Sequence, residues 1–191
     1  MNKIYLFLAV IAFSITSCTS TSVDKAATDA ASKIEVSYET VVIKDGIPSP
    51  RKEMRAKLGG QTIKVTYGSP SVKGREILGG LVSYDKVWRT GANEATIFET
   101  STKLKIQGKK LAAGKYGLFT IPAENGKWTV IFNSVADQWG AYDYSDSKDV
   151  LRVTTTAVPL KEVSETLDFA MTGSALVLKW GNFSVPVQIG L

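Results

Sequence analysis

Past residue 50 the chain repeatedly alternates apolar and polar side chains with a period of two. Met54, Ala56 and Leu58 interleave with Glu53, Arg55 and Lys57, and after the turn pair Gly59-Gly60, Ile63, Val65 and Tyr67 interleave with Thr62, Lys64 and Thr66. That period sends successive side chains to opposite faces of an extended chain, one face buried and the other wetted. Further extended runs cover residues 95–100, 104–107, 116–121, 127–133, 150–158, 166–171 and 176–180, and no long pattern of period 3.6 follows Pro50. Short strands at this spacing with Gly-rich turns predict an all-β chain. The expected fold is an antiparallel β-sandwich, jelly-roll-like or barrel-like, of about nine or ten strands.

The end of the chain carries the clearest local signal. Leu176 to Trp180 and Phe183 to Ile189 flank Gly181-Asn182, which predicts a hairpin with a two-residue loop. Pro186 has no N–H to give to a ladder, so the last strand is expected at a sheet edge. Upstream, residues 34–43 alternate only in part and are rich in β-branched side chains; they either add an edge strand or stay extended. Asp45-Gly46-Ile47-Pro48-Ser49-Pro50 is a turn and a boundary. Residues 19–32 are mostly Ser, Thr, Ala, Asp and Lys, with Val23 the one large apolar side chain, and read as a tether.

The first residues change the picture of where this chain works. Lys3 precedes an apolar run over residues 4–15, and Thr16 and Ser17 precede Cys18, the layout of a secretory signal peptide. As a helix the run would rise about 18 Å against a hydrocarbon core of about 30 Å, too short to span. Ile15-Thr16-Ser17-Cys18 resembles the lipobox of bacterial lipoproteins. That resemblance implies that Cys18 is lipidated and becomes the first residue of the mature chain. It also implies anchoring at a membrane of the bacterial cell envelope, facing the periplasm or the cell surface. The expected organisation is a signal peptide over 1–17, a lipidated Cys and tether over 18–48, and a β-sandwich over 49–191.

Composition narrows the chemistry. The 191 residues include no His and one Cys. Ordinary zinc sites, Ser-His-Asp and Cys-His catalysis are thereby excluded, and a disulfide within one chain is impossible. The hydrophobic share of 44% supports a core without disulfides. A formal net charge of +5, with lysines scattered among carboxylates, carries no nucleic-acid signature. No metal and no cofactor are expected. Ser-x-x-Lys occurs at Ser22, Ser49, Ser83 and Ser145, but without the companion motifs that give it meaning. An enzyme is therefore the less expected class; any catalysis would fall to carboxylates such as Asp85 and Glu94.

Two segments are candidates for binding. The first contains Arg75 and then Trp88-Arg89-Thr90-Gly91-Ala92-Asn93-Glu94; Arg75 and Arg89 are two of only five arginines. A planar guanidinium beside an aromatic, an amide and a carboxylate suits a polar ligand, so Arg75, Trp88, Arg89, Asn93 and Glu94 are candidate ligand residues. The plainer alternative has Trp88 in the core and Arg89 paired with Glu94. The second segment is 137–149, where Trp139, Tyr142 and Tyr144 interleave with aspartates. Rings beside carboxylates suit a sugar surface, which makes Trp139 and Tyr142 candidates. Asp143, Asp146 and Asp149 also offer oxygens for Ca²⁺, though at no EF-hand spacing, and a solvated loop plugged by Trp139 is the plain alternative.

Several strings carry a resemblance. Pro70-Ser71-Val72-Lys73-Gly74-Arg75, the Trp88–Glu94 string, Leu111-Ala112-Ala113-Gly114-Lys115-Tyr116, Phe119-Thr120-Ile121-Pro122 and Trp139-Gly140-Ala141-Tyr142 resemble the DUF2911 family from about Ser49 to the C-terminus. The resemblance implies a small β-rich envelope domain, often carried on lipoproteins of diderm bacteria, and no particular activity. The expected function is a lipid-anchored envelope binding module for a small polar ligand or a glycan. The alternatives are a carboxylate-dependent hydrolase and a structural partner of another envelope protein.

Overall fold

The structure, a computed structural model, describes residues 35–191; the expectations for the signal peptide and Cys18 lie outside the described residues. Eleven strands follow one another: β1 Val36–Lys44, β2 Arg51–Leu58, β3 Gln61–Gly68, β4 Thr96–Thr100, β5 Leu104–Ile106, β6 Lys109–Leu111, β7 Gly114–Pro122, β8 Lys127–Asn133, β9 Asp149–Thr156, β10 Val158–Thr172 and β11 Ala175–Gly190. They form two antiparallel sheets, one of seven strands in the order β1-β2-β3-β4-β7-β8-β9 and one of four in the order β10-β11-β5-β6. The result is the expected sandwich-like all-β fold, unclosed.

The alternation read from the sequence is the reason for the layers. Met54, Ala56 and Leu58 of β2 and Ile63, Val65 and Tyr67 of β3 are buried, while Arg55 and Lys57 are exposed. Gly59 and Gly60 both have positive φ (+54° and +80°), the geometry that joins two twisted strands through a two-residue turn. Between the sheets, Trp88 stacks on Trp180 with ring centroids 5.8 Å apart and meets Trp128 edge-on at 6.4 Å. The gap left inside is about 20 Å³ and is lined by Leu118, Val130, Phe132, Leu178 and Val185 among others. That is room for about one water and for no ligand.

Of the two readings of residues 34–43, the structure has the edge strand: residues 36–44 pair with β2 from Val36–Leu58 to Lys44–Arg51. The main-chain groups of β2 left open on that side recruit them. The last strand is not at an edge, because β11 lies between β10 and β5. Pro186 falls after Ser184, where pairing to β10 ends, and before Ile189, where pairing to β5 begins, so its missing N–H removes no bond to either neighbour. Lastly, β11 continues through Gly181-Asn182 without a separate loop, and its register against β10 shifts on both sides of Gly181. The chain still reverses there. Ile189 N–H donates to Ser174 O at 2.9 Å, whereas a straight strand of sixteen residues would part its ends by about 50 Å. Gly181, at φ +57°, is the pivot, and it counts as strand because it pairs with Ser164 of β10.

Candidate functional site

The long connection between β3 and β4 builds one side of the site. Trp88 exchanges two main-chain hydrogen bonds with Thr120 of β7 (2.8 and 2.9 Å), which pins its indole in the core. From there the chain is wound tightly. Thr90 sits at φ +56° and Asn93 at φ +62°; a β-branched residue in that region is strained. Thr90 shares a 3.1 Å hydrogen bond with the Thr120 hydroxyl, and Thr96 Oγ1 donates to Thr90 O at 2.8 Å. The winding requires glycine at Gly68, where a Cβ would lie 2.1 Å from Ala92 O.

The connection between β8 and β9 builds the other side. Ala95 N–H donates to Gln138 O (3.0 Å) and Gly140 N–H to Asn93 O (3.1 Å), and Glu94 and Trp139 form a β-bridge. The two loops are thus zipped together over three residues each. Trp139 is 58% exposed and Tyr142 83% exposed. Behind them, Asp149 fastens the loop. It accepts from Asn133 Nδ2 (2.8 Å), Tyr144 Oη (2.7 Å) and Arg152 Nε (2.6 Å). Burial, and then the hydrogen bond to Asp149, push the Tyr144 phenol up to about 12. With Asp149 committed to these partners, the aspartates of this loop do not converge as calcium ligands. Among the described residues no group of three or more metal-ligating side chains gathers.

Arg89 runs between the loops. A Cβ built on Gly140 would stand 4.0 Å from Arg89 Cδ and 3.0 Å from the Tyr142 ring, so Gly140 is the place where these two side chains pass. Arg89 Nε is buried and finds no acceptor among the described residues; Gln138 Oε1, on the facing loop, is likewise buried without a donor. Glu94 does not pair with Arg89. Its partner is Arg51 at the start of β2, at 3.1 Å, a residue that sequence reasoning missed because nothing local in Pro50-Arg51 points forty-three positions ahead. The Arg51–Glu94 pair is neutral, and Arg89 has no ion-pair partner among the described residues.

The structure therefore brings together Arg89, Asn93, Glu94, Trp139 and Tyr142. Two candidates stand apart. Trp88 is 9% exposed and supports the loop from inside rather than facing a ligand. Arg75 donates to Ser71 O (2.6 Å) and Val72 O (3.1 Å) of its own loop. It lines a different depression of about 420 Å³ with Tyr84, Val163 and Asn182.

Comparison with known proteins adds one match. A family model described as a protein of unknown function (DUF2911) matches residues 49–189. No curated protein and no solved structure matches the chain.

Proposed function

The chain belongs to the DUF2911 family, and from that premise we propose that it is a lipid-anchored envelope binding module for a polar or carbohydrate ligand. The observation that carries this reading is Arg89. A buried guanidinium nitrogen without a partner is uncommon in a folded protein and calls for an explanation. Here it lies in a strained, glycine-buttressed loop, and Gln138 Oε1 on the facing loop is likewise buried without a partner among the described residues. Strain of this kind gathers at sites that hold a ligand. Arg89 and Gln138 are both only half-buried, and the parts of these side chains that reach the surface suit a hydroxyl-rich ligand. Trp139 and Tyr142, two exposed rings on the same loop, offer flat apolar surface for a sugar face. Asn93 and the Arg51–Glu94 pair border the place. The anchor rests on the signal peptide and on Cys18, and it would hold this surface close to a bilayer.

The test is titration of the soluble domain with peptidoglycan fragments and neutral oligosaccharides, followed by tryptophan fluorescence. Binding is expected to fall at least tenfold in Trp139→Ala and in Arg89→Gln, and to persist in Arg75→Ala. Saturable binding that ignored both loop variants, or no binding by any of these glycans, would sink the reading.

A further inference from the structure

Among the described residues β1 ends the seven-stranded sheet with no strand paired on its outer side, although it lies close to β10. All its residues but Val36 are exposed, among them Tyr38, Val41, Val42 and Ile43 at 37–53%. The phase of its ladder is set by Gly59 N–H, which donates to Glu35 O at 3.0 Å. In the Val36–Leu58 register, alternate residues from Glu35 to Val41 therefore turn their main-chain groups to β2. Val36, Tyr38, Thr40 and Val42 present theirs to the open side. Other edges are managed. Residues 70–72 run along β10, with Leu167 N–H donating to Pro70 O and Val72 N–H to Glu165 O; Lys109 Nζ caps Arg152 O on β9; and β6 has three residues. β1 has no proline and, short of Lys44 and a bulge at its end, no device against pairing.

We propose that this edge pairs with the same edge of a second copy, antiparallel about a two-fold axis through Thr40, so that two seven-stranded sheets become one. The choice of occupant and register follows from side-chain chemistry. In an isologous antiparallel pair the axis stands perpendicular to the sheet, so each residue meets one from its own face. Centring on Thr40 sets Tyr38 opposite Val42 twice and Thr40 opposite itself, pairings of the aromatic–β-branched and Thr–Thr kinds that favour sheets. On the other face Glu39 meets Val41 and Ser37 meets Ile43. Centring on Glu39 would set two like charges face to face, and centring on Val41 leaves Val36 and Ser37 unpaired. With one Glu and one Lys the strand is neutral, and two copies do not repel.

The test uses residues 19–191, which retain the segment ahead of β1, with mass measured by light scattering from micromolar to millimolar concentration. The mass is expected to double with concentration, and amide exchange at Val36, Tyr38, Thr40 and Val42 to slow as it does. The double variant Tyr38→Lys, Val42→Lys and the double variant Tyr38→Glu, Val42→Glu are each expected to be folded monomers by circular dichroism. Mixed, they should form a heterodimer, because the register sets position 38 of one against position 42 of the other. A wild-type monomer with fast-exchanging β1 amides would overturn the proposal. So would a monomer with protected amides, which would assign the edge to the chain's own residues 19–34. A dimer that survives both double variants would place the interface elsewhere and overturn it as well.

Discussion

Trp88 and Arg89 show how little separates framework from site in this segment. Trp88, stacked on Trp180 and 9% exposed, is a large core side chain. Trp88→Ala is expected to destabilise the domain by about 3–5 kcal/mol in denaturant titration. Arg89, one residue on, has no ion pair among the described residues, because Glu94 is taken by Arg51. Arg89→Gln should therefore leave the denaturation midpoint nearly unchanged or slightly raised, as at sites not arranged for stability; a loss as large as that of Trp88→Ala would make Arg89 framework. Two phenols set an alkaline limit. Burial, and then the Asp168 carboxylate, hold Tyr67 far above its ordinary range, and Tyr144 is pushed up to about 12. Both are harder to ionise folded than unfolded, where tyrosine titrates near about 10. Their contribution is complete below about pH 10 and is lost as pH rises from there through the folded values. Stability measured against pH should fall above about 10, and Tyr144→Phe should flatten that fall.

Among the elements, the β11 span depends on its pivot and the aromatic loop on its anchor. A Cβ on Gly181 would find Ile77 Cγ1 at an ordinary 3.5 Å, so Gly181→Ala meets no clash. Its φ of +57° still makes the substitution unfavourable by about 1–2 kcal/mol, to be read in thermal melts. The loop that carries Trp139 and Tyr142 hangs on Asp149, whose side chain is 8% exposed and accepts from three donors. Asp149→Ala leaves those donors without their acceptor and is expected to cost about 1–3 kcal/mol. Faster amide exchange should follow over residues 135–148, while β2 and β3, which make no bond to Asp149, keep their protection.

For the whole molecule, location is the first question. Cys18→Ala is expected to leave the precursor unprocessed and out of the membrane fraction; maturation to the same mass with membrane association would refute the lipobox reading. The sandwich itself was legible in the sequence. A period of two commits Met54, Ala56 and Leu58 to one face whatever surrounds them, and Gly59-Gly60 turns the chain locally, so strands and layers follow from neighbours in sequence. The string from Trp88 to Glu94 likewise declared an unusual segment, with Gly and Asn where left-handed backbone is needed. Pairing across the chain was not legible. Arg51 rather than Arg89 neutralises Glu94, Trp139 bridges to Glu94, Arg75 stands in a different depression, and only pairing with β2 decides between the two readings of residues 34–43. Pro186 follows the same rule, since whether a strand is an edge depends on what lies beside it, and β11 lies between β10 and β5. Local patterning is set by each residue's own geometry and hydrophobicity, which the sequence determines alone. Partnership among charges, rings and strand edges is decided by which loops the folded sheets bring within a few ångströms, and only the tertiary structure decides that.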